Sequence, residues 1–145
     1  MIDLKNVYIT YFKKSYKIKI PGSDLIIKTP ICTAPFGEEI YNGKCIINLE
    51  FCDNFDFLDI IREFEKNIHV KFPEDFGKNK TLYSNIKDRS INDKKVYHIR
   101  THIANKNLVG IEPNKKMEVE LKMDSIWENM NEYGVCMQIV KITYI

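Results

Sequence analysis

The chain predicts a mainly β fold with one inserted helix, and three observations carry that prediction. Several short segments alternate apolar and polar residues with period two. One segment beginning near Phe57 changes to the spacing of a helical face. Turn signals such as Pro21-Gly22 and Asn42-Gly43 separate the pieces.

In order along the chain, "VYITYFKK" from Val7 mixes β-branched and aromatic residues, and "SYKIKI" places Tyr16, Ile18 and Ile20 opposite Lys17 and Lys19. Both read as strands, and "DLIIKTP" adds a short extended piece that ends before Pro30. Asn42-Gly43 suits a two-residue hairpin turn, because both central positions need positive φ. The following "CIINLEF" sets Cys45, Ile47, Leu49 and Phe51 on one face.

Phe57, Ile60, Ile61, Phe64 and Ile68 then mark the apolar side of a helix over about residues 55–70. Asp53 or Asn54 serves as its cap and Pro73 as its stop. Residues 74–95 are polar and read as loop, with room for one short strand around "YSNIKD". "VYHIRTHI" returns to alternation, with Tyr97, Ile99, Thr101 and Ile103 opposite His98, Arg100 and His102. "KMEVELKMDSIW" is the clearest half-buried strand, and its parity places Trp127 with Met117, Val119, Leu121 and Met123 in the core. In the closing "YGVCMQIVKITYI" the apolar parity switches near Ile139-Val140, which calls for a bulge or a strand buried on both sides. This order of elements fits a small OB-like barrel of about five or more antiparallel strands with the helix inserted, built as one domain over residues 1–145.

Composition bounds the function. With 145 residues and 44% hydrophobic content, the chain can bury a core without metal or disulfide staples. The four cysteines, Cys32, Cys45, Cys52 and Cys136, form no CxxC pair and read as reduced thiols of an intracellular protein. No apolar run approaches the about 20 residues of a membrane span, so no membrane partner is expected. His98 and His102 share a strand face without cysteine or acidic ligands at metal spacing, and no metal site or cofactor is expected. No nucleophile elbow, HExxH or P-loop pattern occurs, so no catalytic residue is assigned and the chain reads as a non-enzyme.

The net charge of +2 conceals an uneven distribution. Residues 1–37 hold six lysines against two aspartates, and residues 81–116 hold eight basic against three acidic groups. The remaining two segments are acidic. Both basic stretches interleave aromatics with cations, the combination that holds single strands by phosphate contact and base stacking. Lys13, Lys14, Lys17, Lys19, Lys94, Lys95 and Arg100 are therefore candidates for phosphate contact, and Tyr11, Phe12, Tyr97 and His98 for stacking. For each aromatic, packing in the core is the competing reading.

The closing stretch "VELKMDSIWENMNEYGVCMQIVKI" resembles the last hairpin of a family of single-stranded DNA-binding proteins of large nucleocytoplasmic DNA viruses. The match lies in Ser125, Ile126 and Trp127, then Tyr133 and Gly134. "APFG" at Ala34 to Gly37, followed by "YNGKCIINLEF" and an acidic, aromatic helix start, keeps that family's order, and "YHIRTHI" fits its middle strand. The matching segments run from Thr29 to Phe64 and from Tyr97 to Ile142. The resemblance implies an OB-fold, distantly similar to the bacteriophage T7 type, that coats single-stranded DNA in viral replication, recombination or repair. It places the protein in the host cytoplasm. RNA and a second copy of the chain are further candidate partners, and a protein-interaction module on the same scaffold is the alternative function.

Overall fold

The computed structural model describes residues 8–12, 15–20, 25–51, 55–71, 80–105, 108 and 110–145. The strands are β1 (Tyr8–Phe12), β2 (Ser15–Lys19), β3 (Ile26–Lys28), β4 (Glu38–Tyr41) and β5 (Lys44–Glu50). After the helix α1 (Phe55–Lys71) come β6 (Thr81–Leu82), β7 (Ile86–Ile91), β8 (Lys94–Ile103), β9 (Met117–Glu128) and β10 (Glu132–Tyr144). They form a single ten-stranded sheet ordered β1-β2-β9-β10-β8-β5-β4, with β3 beside β9, β6 beside β10 and β7 beside β8.

The mainly β character and the single helix among the described residues agree with the sequence. The expectation of about five or more strands covers the ten described, but the barrel form and the all-antiparallel pairing do not appear. The sheet stays open, with β1 and β4 at its two ends. β10 runs parallel to β6 and β8. The strands that the sequence reading lacks arise mainly from the polar stretch read as loop, which contains β6 and all of β7. β7 joins β8 through Asn92 and Asp93, at φ 49° and 64°. This is the same two-residue solution that Asn42 and Gly43 adopt at φ 51° and 76°.

Two bulges set which residues reach the core. Between the pairs Cys136/Ser125 and Gln138/Lys122, β9 spends one residue more than β10. The parity of β9 therefore flips, and both Met123 and Ile126 are buried. Trp127 consequently leaves the core parity that the sequence suggests and lies half-buried on the opposite face. Between Ile139/Leu121 and Lys141/Glu120 the extra residue is on β10, at the Ile139-Val140 position where the sequence demands a switch.

One face of the sheet and α1 enclose the core. Phe57, Leu58, Ile61, Phe64 and Ile68 pack from the helix against Ile47, Leu49, Ile99, Leu121, Met123 and Val135. Leu58 takes the buried position that the sequence reading gave to Ile60, which is 41% exposed. No helix among the described residues is long and apolar enough to cross a membrane.

The helix is also fastened by a buried acid. Glu65 accepts hydrogen bonds from the Ser84 hydroxyl at 2.7 Å and from the Asn85 backbone N–H at 3.0 Å. Asn85 in turn donates its amide to the Val135 carbonyl at 2.7 Å and accepts from the Arg100 N–H at 2.9 Å. It thus wedges β8 and β10 together below their pairing at His102 and Gln138.

Burial raises the Glu65 pKa above its ordinary 4.5, and the hydrogen bonds only partly oppose that. A carboxyl shifted upward in the folded state favours folding while protonated. Its contribution is full below the ordinary value and is lost as pH rises through the raised value. Urea unfolding of wild type and Glu65→Gln across this range is expected to show wild type losing stability relative to the variant as pH rises. A pH-independent difference would contradict the assignment.

Candidate functional site

The face of the sheet opposite the core collects the unexplained polar and aromatic residues. Cross-strand registers place Lys87, His98 and Glu50 in one row over β7, β8 and β5, and Arg100 beside Asn48 in the next. Further along, Ile26, Lys122, Gln138, His102, Ile46 and Glu39 form a row across six strands. On β2, Lys17 pairs with Ser125, which shares its side of β9 with Trp127.

Aromatic rings and cations alternate over this outer face. Trp127 meets Tyr83 edge-on with centroids 5.8 Å apart, and Lys87 Nζ stands 3.5 Å from the centre of the Tyr83 ring. The Arg89 guanidinium lies 4.8 Å from the Phe36 ring centre, and that of Arg100 5.8 Å from Tyr41. Phe36 and Tyr41 are 51% and 62% exposed, so at this edge the rings offer surface to solvent. Each contact has cation–π geometry, which orders a charge beside a stacking surface.

Several acids on the face are engaged. Glu118 pairs with Lys28 at 2.8 Å, Glu120 with Lys141 at 3.7 Å and Glu50 with Arg89 at 2.6 Å. Exposed pairs of the first two kinds contribute little to stability, but they locate negative charge toward the β3 side.

The residues nominated from sequence divide between the two faces. Lys17, Lys19, Lys94, His98 and Arg100 carry the outer-face parity. Three strand-to-strand steps of about 4.8 Å separate β2 from β8, so both basic stretches reach one surface. Lys95 and Tyr97 alternate to the helix side, where Lys95 pairs with Asp88 at 3.7 Å and Arg62 of α1 covers Tyr97 at 5.4 Å. The backbones of Tyr11 and Phe12 pair with Tyr16 and Ser15 in the first hairpin, and their side chains lie outside the described residues. Lys13 and Lys14 also lie outside them.

Sequence reasoning missed Phe36, Tyr41, Tyr83, Lys87 and Arg89, and placed Trp127 in the core. The available signal was the alternation of Lys87, Arg89 and Ile91 ahead of the Asn92-Asp93 turn. The Trp127 and Gly134 motif acquires a physical reason, because the two residues pair directly across β9 and β10. A Cβ on Gly134 would lie 2.7 Å from Trp127 Nε1, so only glycine leaves room for the indole.

Other chemistry has less support. Among the described residues no three His, Cys, Asp or Glu side chains converge as metal ligands. Burial pushes the Cys32 thiol up to about 11, and burial followed by Glu38 raises that of Cys45, both opposite to nucleophile activation. No protein-family model, curated protein or solved structure matches the chain.

Proposed function

We propose that the chain binds single-stranded DNA without base specificity, through the outer face of an OB-like sheet, in DNA replication, recombination or repair. The supporting observation is the alternation of Trp127, Tyr83, Phe36 and Tyr41 with Lys87, Arg89 and Arg100 on one surface that Lys17 also reaches. Stacking on such rings is worth about 1–3 kcal/mol per base and is indifferent to base identity. The cations supply the phosphate contacts. The OB-fold is a partly open barrel, and the bulged β9 and β10, the core on one face and the inserted helix support that finer reading. The viral setting in the host cytoplasm follows from the resemblance of the closing hairpin.

The test is a salt titration of a dye-labelled oligothymidylate by anisotropy. Three to five engaged cations predict a log–log slope of roughly −2 to −3.5 for a single strand. Absence of binding at low salt would sink the proposal, and a matched RNA strand measures the preference between the two nucleic acids.

A second reading is favoured by the open edge at β4, where Ile40 is 73% exposed beside Tyr41. Such an edge can add a strand from a partner protein. That role predicts association with little dependence on salt or DNA.

A further inference from the structure

We propose that Arg89 and His98 form a phosphate-binding subsite within the outer face, in which oxygens of one phosphate group accept hydrogen bonds from Arg89 Nε and His98 Nδ1. The proposal deepens the nucleic-acid reading and rests on it for the source of the phosphate. Its starting point is an anomaly. Buried polar atoms are almost always paired, yet Arg89 Nε and His98 Nδ1 are both buried without a hydrogen-bond partner.

The registers bring the two side chains to the same part of the outer face. Lys87, His98 and Glu50 are successive partners on β7, β8 and β5. Arg89 lies on β7, and its Nη2 donates to Glu50 on β5 at 2.6 Å. The arginine therefore crosses β8 at the level of His98. The exposed ring of Phe36 lies over the guanidinium, 4.8 Å from it, at the solvent side of the pair.

Ligand chemistry follows from this shape. Glu50 demonstrates that the guanidinium takes an oxyanion here, but its planar carboxylate leaves Nε and the imidazole unserved. A tetrahedral phosphate presents oxygens in several directions and can meet an arginine edge and an imidazole on adjacent strands together. Lys87, cross-strand from His98, adds a second positive charge. His98 thereby moves from the stacking role that the sequence suggested to a phosphate-contacting one.

Proton linkage gives the subsite a signature. Burial first, then Arg89, holds His98 below its ordinary 6.5; Lys87 acts in the same direction, while Glu50 and Asp88 oppose. A phosphate beside the ring favours the imidazolium and raises that value. Oligothymidylate affinity then increases as pH falls through the raised value, since its phosphodiesters do not titrate in this range.

The test follows the arginine Nε–H resonances of the wild-type protein during titration with inorganic phosphate and, separately, with oligothymidylate lacking terminal phosphates. Both probes are expected to shift the Arg89 signal. Arg89→Lys and His98→Gln should each weaken oligothymidylate binding by roughly tenfold, and His98→Gln should flatten the pH dependence. A shift with the oligonucleotide alone supports the subsite as a reader of internal phosphodiesters. A shift with inorganic phosphate alone, with no oligothymidylate binding by anisotropy, supports it as a site for a small phosphorylated ligand and removes the nucleic-acid reading. Tight oligonucleotide binding with an unmoved Arg89 signal and unaffected variants would overturn the subsite while leaving the nucleic-acid reading intact. No shift with either probe overturns the subsite as well.

Discussion

Replacing Gly134 with valine is expected to destabilise the fold by about 1–3 kcal/mol, the usual range for forcing atoms into an occupied site. A Cβ at this position would sit 2.7 to 2.8 Å from three atoms of the Trp127 indole, closer than van der Waals contact permits. The indole has limited room to retreat, because Tyr83 meets it edge-on at 5.8 Å. Gly134 itself lies in the buried part of β10, between fully buried Tyr133 and Val135. Urea unfolding followed by far-UV circular dichroism measures the loss. Combining Gly134→Val with Trp127→Ala should recover part of it, since the second change empties the space that the first invades. Wild-type stability in the single variant would mean that the indole is not held over Gly134.

The second large effect concerns binding. Phe36→Ala and Tyr41→Ala are expected to reduce affinity for oligothymidylate by about 1–3 kcal/mol for each ring on which a base stacks. Stability should change little, because the two side chains are 51% and 62% exposed. The separation of effects makes these better probes than Tyr83 or Trp127, whose truncation would also disturb packing. Anisotropy titrations at fixed salt, with unfolding curves on the same preparations, decide the matter. If both variants bind as wild type does, the exposed rings are not stacking platforms and the β4 edge favours protein association instead.

Legibility in the sequence followed the range of the interactions involved. The helix was legible because its face repeats locally, and the predicted span of about 55–70 meets an observed Phe55–Lys71. The β10 switch was legible because apolar parity changes inside one segment. The β9 bulge was not, because Asp124 and Ser125 interrupt the apolar alternation without showing that Ile126 turns inward. That one flip decides on which face Trp127 lies. β7 was hidden for another reason: Asn92-Asp93 can adopt positive φ, but it is a weaker turn signal than Asn-Gly, and the four central residues of "IKDRSI" are all polar, which leaves no apolar alternation to read. Of the candidate site, the two basic stretches were visible as composition. Their division into outer-face Arg100 and helix-side Tyr97 was already legible in the alternation of "VYHIRTHI", whose Ile99, Thr101 and Ile103 are buried. The partnership of Arg89 with Glu50 joins residues from β7 and β5 that only the sheet brings together.

The placement of Trp127 also has an optical consequence. It is the only tryptophan in the chain, and it stands half-buried on the outer face beside Tyr83 and Gly134. The core beneath is built largely from isoleucine, leucine, valine, methionine and phenylalanine, which do not contribute to tryptophan emission. Intrinsic indole fluorescence from this protein therefore reports on its aromatic surface rather than on its interior. A change in emission marks an event at that face even when the hydrophobic core is undisturbed.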